Sequence, residues 1–382
     1  GVGGHGVVGL LRGEGRQSSG AEEAATGAAV GAVSEAVTGA AAGAVSGAAS
    51  RMAPVKTFAI RADMDALPVT EETGLPFASK IPGRMHACGH DAHVAMLLGA
   101  AKILSDMKDS VQGNVKFIFQ PGEEGPGGAR PMILDGALKN PRVDAIIGAH
   151  VGCLWDAGLG QLGITPGPMM AATDRFSVRI QGKGGHGAAP HFSVDPVVIA
   201  AQIAMSLQTI VSREVSPVAP AVVTVGIIKA GTAANIIPDD CVMNGTVRYL
   251  DKELASFIPG RVREICEGIA SAMRGSATVE YTHGHPPLVN NPEMTDLVKK
   301  AAASIVGVEN VVDVKPSMGG EDMALFLNEV PGAYFALGTA NPEKGTDFPN
   351  HHPKFDVDEA VLHLGSAVFA QVAMDFLAQA QG

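Results

Sequence analysis

Apolar positions after residue 54 fall into two interleaved rhythms. Residues 55–61 (VKTFAIR), 114–120 and 143–149 are short runs rich in β-branched and aromatic side chains, the pattern of strands buried in a sheet. Residues 92–107 and 128–138 instead read as helices with one apolar face. Strands alternating with helices predict an α/β fold class, a mixed sheet with helices on both faces. A new rhythm begins near Asp174. Strand-like residues 175–180, a helix at 195–213, strands at 221–229 and 241–249, a helix at 252–274 and a strand at 277–281 spell βαββαβ, the order of a ferredoxin-like α+β unit. After a Pro- and Asn-rich stretch, α/β alternation resumes up to a final helix at 358–378. The expected organisation is a larger domain made of residues 1–173 and 285–382, with residues 174–284 inserted as a smaller one.

The start of the chain departs from this order. Residues 6–11 (GVVGLL) resemble a strand, but residues 17–50 are almost entirely Ala, Gly, Ser, Thr and Val, with three Glu as their only charges. Such a tract buries too little apolar surface to offset its ordering entropy, and its glycines disfavour a helix, so disorder or a loose helix is expected. Because long surface insertions cost little closure entropy, residues 6–11 and 55–61 are expected to pair as a hairpin around it.

Composition narrows the class of function. A chain of 382 residues suits two domains, and 46% hydrophobic with 18% charged residues gives it a core of useful size. A formal charge of -11 and no block of Lys or Arg argue against nucleic acid or an anionic membrane as partner, and for a small molecule. No unbroken apolar run reaches roughly 18 residues, so no transmembrane helix is expected. The four cysteines are too scattered for a disulfide scaffold, and only Cys88 lies among other metal-binding residue types. The sequence opens on Gly1 rather than Met, which suggests a lost N-terminal piece and leaves localisation open.

The chemistry concentrates in short motifs. MHACGHDAH brings His86, Cys88, His90, Asp91 and His93 within nine residues, a mixture of thiolate, imidazole and carboxylate that suits Zn²⁺ or Mn²⁺, or else a buried loop. The strand at 114–120 runs into PGEEG, whose adjacent Glu123 and Glu124 could divide the work of metal ligand and proton acceptor, or merely start a helix. His150 follows the strand at 143–149, and His351 and His352 precede the last helix. Asp63 and Asp65, two apart at a strand end, face one side as ligands, as orienting groups behind them, or as turn caps.

In order along the chain, RADMDALP, MHACGHDAH, QPGEEG, GAHV, GKGGHGAAPH, GTAANIIPDD, GTVR, MGGEDMA and HHPKFDVDEAVL resemble the motif series of the amidohydrolase branch of the two-metal aminoacylase and carboxypeptidase family. That branch includes hippurate hydrolase and the indole-3-acetyl-amino acid hydrolases. The resemblance implies a hydrolase of N-acyl amino acids using two divalent metal ions, Mn²⁺ or Zn²⁺, with dipeptidase, carboxypeptidase or N-acetyl-diaminopimelate deacetylase activity as the alternative and a non-catalytic metal-binding protein as a remote one. It implies Cys88 as a bridging ligand with His90, Glu124, His150 and His351, Glu123 as general base, and Asp63 and Asp65 behind the metals. It further implies His186 as a catalytic group and Asn235 as a substrate-binding one. Arg248 of GTVR is a candidate for the substrate carboxylate, since guanidinium binds carboxylates in a two-pronged manner, or is an ordinary strand-end charge. The inserted domain is implied to be a lid and a dimerisation surface. Residues 1–14 resemble the segment just before the RADMDALP strand, so the family's usual opening helices are expected to be missing.

Overall fold

The computed structural model describes residues 4–14, 55–125 and 128–379, and the tract at 17–50 lies outside them. In chain order the strands are β1 (Val7–Arg12), β2 (Thr57–Asp63), β3 (Asn114–Gln120), β4 (Ala145–Val151), β5 (Leu162–Gly163), β6 (Gly167–Met170), β7 (Asp174–Gln181) and β8 (Gly185–His186). They continue with β9 (Ala221–Ala230), β10 (Ile236–Ile237), β11 (Asp240–Tyr249), β12 (Ser276–Thr282), β13 (Leu288–Asn290), β14 (Val311–Val312) and β15 (Gly332–Leu337). The α-helices are α1 (His90–Asp106), α2 (Ala129–Leu134), α3 (Pro196–Thr209), α4 (Leu254–Ala272), α5 (Pro292–Val306), α6 (Met323–Glu329) and α7 (Leu362–Gln379).

A mixed seven-stranded sheet in the order β1-β3-β2-β4-β15-β5-β14 forms the centre, with β3, β2, β4 and β15 parallel to one another. Strand side chains alternate between faces. Phe58 and Ile60 of β2 therefore join Met96 and Leu97 of α1, Val298 of α5 and Phe369 of α7 in one core layer. Ala59 between them joins Met132 of α2 and Met323 and Phe326 of α6 in the other. Helices thus cover both faces, as the alternation predicts.

The N-terminal strand does not form the expected hairpin. β3 lies between β1 and β2, and β1 pairs antiparallel with β3 from Val7–Phe119 to Arg12–Asn114. The physical reason lies in burial: all seven residues of β2 are buried, as a central strand requires, whereas β1 is half exposed and caps an edge. Two other boundaries differ. Helix α3 ends at Thr209 in a π turn, Ile210–Glu214, and His150 lies inside β4 rather than after it.

β7, α3, β9, β11, α4 and β12 form an antiparallel four-stranded sheet in the order β12-β7-β11-β9 with two helices packed on it. Asp195 caps α3 by accepting the Val197 and Val198 N–H groups, and Pro196 fills the first helical position, where no N–H is needed. Cys241 and Cys266 are buried in the apolar core of this layer. Two helical stretches, Pro196–Glu214 and Glu359–Gln379, are long and apolar enough to cross a membrane by length and composition alone. Both carry core contacts instead: α3 buries Ile199, Ile203 and Leu207 on its sheet, and α7 buries Val368, Phe369 and Val372 on the central one.

Candidate metal centre

The parallel strands β2, β3 and β4 deliver their chemistry at their C-terminal ends, where open α/β sheets place their sites. Asp63 closes β2 with Asp65 just beyond, Glu123 and Glu124 follow β3, and His150 is the penultimate residue of β4. Cys88 and His90 flank Gly89, which starts α1 at φ 87; a Cβ there would sit 2.4 Å from Val151 Cγ2. Only glycine satisfies both demands, so the tight turn that aims Cys88 and His90 at the strand ends depends on it.

Five side chains converge there. Cys88, His90 and His150 form one set of donor atoms within 4.8 Å of one another, and Cys88, Glu124 and His351 form another. Cys88 belongs to both, as a ligand shared by two cations would. Its sulfur lies 3.4 Å from His150 Nε2. His351 Nε2 pairs with Glu124 Oε1 at 2.9 Å, and the buried Nε2 of His90 has no hydrogen-bond partner among the described residues. An unmet buried polar atom is costly, and its place in the first donor set fits a cation that would satisfy it. His352 is turned away, stacked on Phe348 with its Nδ1 accepting the Lys354 N–H.

The histidines are oriented from behind in the manner of metal ligands. His90 Nδ1 donates to the Asp65 main-chain oxygen at 3.0 Å and lies 3.2 Å from the Asp65 carboxylate, while His150 Nδ1 donates to the Val151 carbonyl at 2.7 Å. Each ring thereby keeps Nε2 for the site. The Asp65 carboxylate also accepts the N–H groups of Glu123 and Glu124, both at 3.0 Å, fixing the acidic pair. Asp63, His90 and His93 are also close enough to suggest a metal site. The hydrogen bonds exclude it, because His93 donates Nδ1–H to Asp63 at 2.5 Å and accepts the Val151 N–H on Nε2 at 2.9 Å, leaving no lone pair.

Electrostatics favour a cation. Burial alone would lower the His90 imidazole, but Asp63, Asp65 and Glu321 push it up to about 9. Burial would raise the Glu124 carboxyl, but His351, with Cys88 and His90, holds it below its ordinary value. Burial, then the charges of Glu124, Asp63 and Glu123, raise the Cys88 thiol far above its usual range. Glu123, half-buried beside this cluster, is raised well above the carboxylate range by burial and by Glu321, Asp322 and Asp63.

A buried charged network missed by the sequence reading supports these residues. Arg61 donates to Asp63 at 2.7 Å, to Gln120 at 2.9 Å and to Asp322 at 2.8 Å, and pairs with Glu321 at 3.0 Å. Tyr334 donates to the other oxygen of Glu321 at 2.7 Å, and the Asp322 N–H approaches Glu123 Oε1 at 3.4 Å. The motifs RADMDALP and MGGEDMA contain most of these groups, but nothing in their spacing says that they meet.

Three further residues lie apart from the cluster. His186 on β8 and Asn235, just before β10, are both exposed, and the Gly187 N–H donates to the Asn235 carbonyl at 2.9 Å. Arg248 is half-buried on β11, its Nη1 donating to the Val247 carbonyl at 3.2 Å, near Arg175 and Asp174. Among the described residues, no hydrogen bond or ion pair links any of the three to the five converging side chains.

Comparison with known proteins gives this geometry a lineage. Over 326 residues the chain is 46% identical to thermostable carboxypeptidase 1 of Saccharolobus solfataricus, covering 85% of this chain and 81% of that one. It is 41% identical over 323 residues to the IAA-amino acid hydrolase ILR1-like 5 of Arabidopsis thaliana, covering 84% of this chain and 73% of the relative. The crystal structure of the Bacillus subtilis YXEP protein, described as a dinuclear metal binding peptidase from the M20 family, superposes with a TM-score of 0.72 at 37% identity, covering 85% of this chain and 82% of that one. The sequence profile of peptidase family M20/M25/M40 matches residues 59–375, and the chain belongs to that family of metal-dependent amide hydrolases.

Proposed function

We propose that this protein hydrolyses the amide bond of N-acyl amino acids, of the hippurate or indole-3-acetyl-amino acid kind, releasing a carboxylate and a free amino acid. The observation that carries the reading is the pair of donor sets sharing Cys88, with Glu123 beside them. Cys88, His90, Glu124, His150 and His351 would hold two divalent cations, Mn²⁺ or Zn²⁺, since thiolate and imidazole suit zinc and the carboxylate suits either. Bound there, such cations supply Lewis acidity toward the amide carbonyl and make water acidic near neutral pH.

The remaining chemistry belongs to the protein. Glu123 accepts the proton of the attacking water and returns it to the departing nitrogen, a double role suited to a carboxyl whose proton affinity is raised by burial and by Glu321, Asp322 and Asp63. Asp65 holds the main chain of Glu123 and Glu124 and orients His90, while Asp63 acts through His93 and Arg61. Residues 174–284 act as a lid that carries His186 and Asn235 to the tetrahedral oxyanion and Arg248 to the substrate carboxylate. The same unit supports a homodimer: β9 is an edge strand, and Val222, Ile227 and Ile228 on it and Val198 and Met205 on α3 are exposed.

Metal analysis combined with a hydrolysis panel of hippurate, indole-3-acetyl-amino acids, N-acetyl amino acids and dipeptides tests the proposal. Metal-dependent release of amino acid from acyl conjugates is the expected result. Faster turnover of dipeptides would move the assignment to a peptidase, the activity named for the carboxypeptidase relative.

A further inference from the structure

We infer that Asn350 is a positioning residue that holds Cys88 and the β4 loop in the geometry needed to receive metal. The inference rests on the proposed metal-binding role of Cys88. Asn350 Nδ2 donates toward the Cys88 carbonyl at 3.3 Å, the Cys88 sulfur at 3.9 Å and the Val151 carbonyl at 3.4 Å, while its Oδ1 accepts the Cys153 N–H at 3.1 Å. One amide thus touches the segment bearing Cys88 and the segment bearing His150. It also immediately precedes His351, whose backbone stands in the left-handed region at φ 71 and whose N–H donates to the Ala87 carbonyl at 2.6 Å. The three chain segments that carry Cys88, His150 and His351 meet at this side chain.

A second observation shows that the space is reserved. Gly152 has φ 105, and a Cβ there would lie 2.6 Å from Asn350 Oδ1 and 2.7 Å from Nδ2. The β4 loop therefore leaves room for an amide at position 350. The arrangement needs a donor facing sulfur and carbonyls and an acceptor facing an N–H, and an amide offers both. A carboxylate of the same size would keep the contact to Cys153 but set a negative charge against two carbonyl oxygens and a thiolate.

Cobalt titration of the metal-free protein tests this without recourse to activity, reading the thiolate-to-cobalt absorption band together with affinity from chelator competition. Asn350→Asp is expected to bind Co²⁺ at least tenfold more weakly, with the thiolate band diminished, at unchanged helix content by circular dichroism; removal of a group that orients metal ligands costs roughly 10–100-fold in affinity. Asn350→Ser, which restores a small donor, is expected to recover part of the band, which a loss of packing alone would not produce. If Asn350→Asp does not fold, Asn350→Ser compared with Asn350→Ala decides by the same readout, and equal bands and affinities in those two overturn the inference. A wild-type band and affinity unchanged in Asn350→Asp also overturn it while leaving the metal assignment intact. A wild-type protein with no thiolate band, or a band that persists in Cys88→Ser, overturns the assignment of Cys88 itself and the inference with it.

Discussion

Cys88 Sγ sits 3.4 Å from His150 Nε2, and the other nitrogen of that imidazole is already committed to the Val151 carbonyl at 2.7 Å. The sulfur thus faces a nitrogen lone pair on one side and the Glu124 carboxylate on another. Because burial and the carboxylates of Glu124, Asp63 and Glu123 raise the thiol, Cys88 is protonated at neutral pH in the metal-free protein. Metal capture must expel that proton, so affinity should rise with pH, by about tenfold per pH unit for each proton expelled. Chelator competition between about pH 6 and pH 8 measures the slope, and an affinity independent of pH would contradict a thiol ligand.

Glu123→Gln keeps the size of the side chain and removes its basicity. The variant is expected to bind metal as the parent does and to lose hydrolysis by at least ~10², the contribution of a general base. Single-turnover assays on metal-loaded protein check this, and near-parental turnover would remove Glu123 from the chemistry.

Gly89→Ala forces a Cβ into a left-handed position 2.4 Å from Val151 Cγ2. Stability should fall by about 1–3 kcal/mol, as for other strained backbone sites, and metal affinity should fall with it, since Cys88 and His90 flank the turn. Urea denaturation with and without metal reads both. Gly74→Ala, at φ 72 with open space around its Cβ, should weaken folding less and leave metal binding unchanged.

What the sequence made legible follows from where each residue sits. Cys88, His90, Glu124, His150 and His351 occupy short motifs at strand ends or in loops, where few packing demands compete with chemistry, and the structure brings all five together. The buried network was hidden because its meaning is tertiary: Arg61 and Asp322 are 261 residues apart, and a charged residue in a strand reads as exposed until its partners are known. The misplaced hairpin has a similar cause. Strand pattern identifies β1 and β2 but not their order, and β3, recruited from beyond the α1 helix, separates them. His186, Asn235 and Arg248 stand on another layer of the fold, so their distance from the five converging side chains depends on how the layers pack, which no local pattern encodes.

The central claim is that one thiolate serves two cations, and metal content per chain after exhaustive dialysis tests it most directly. Metal analysis of the parent and of Cys88→Ser, both reconstituted with Zn²⁺ or Mn²⁺, should give two ions per chain in the parent and fewer than one in the variant, because Cys88 is common to both donor sets. Two ions per chain in Cys88→Ser, held as tightly as in the parent, would contradict the shared-ligand account.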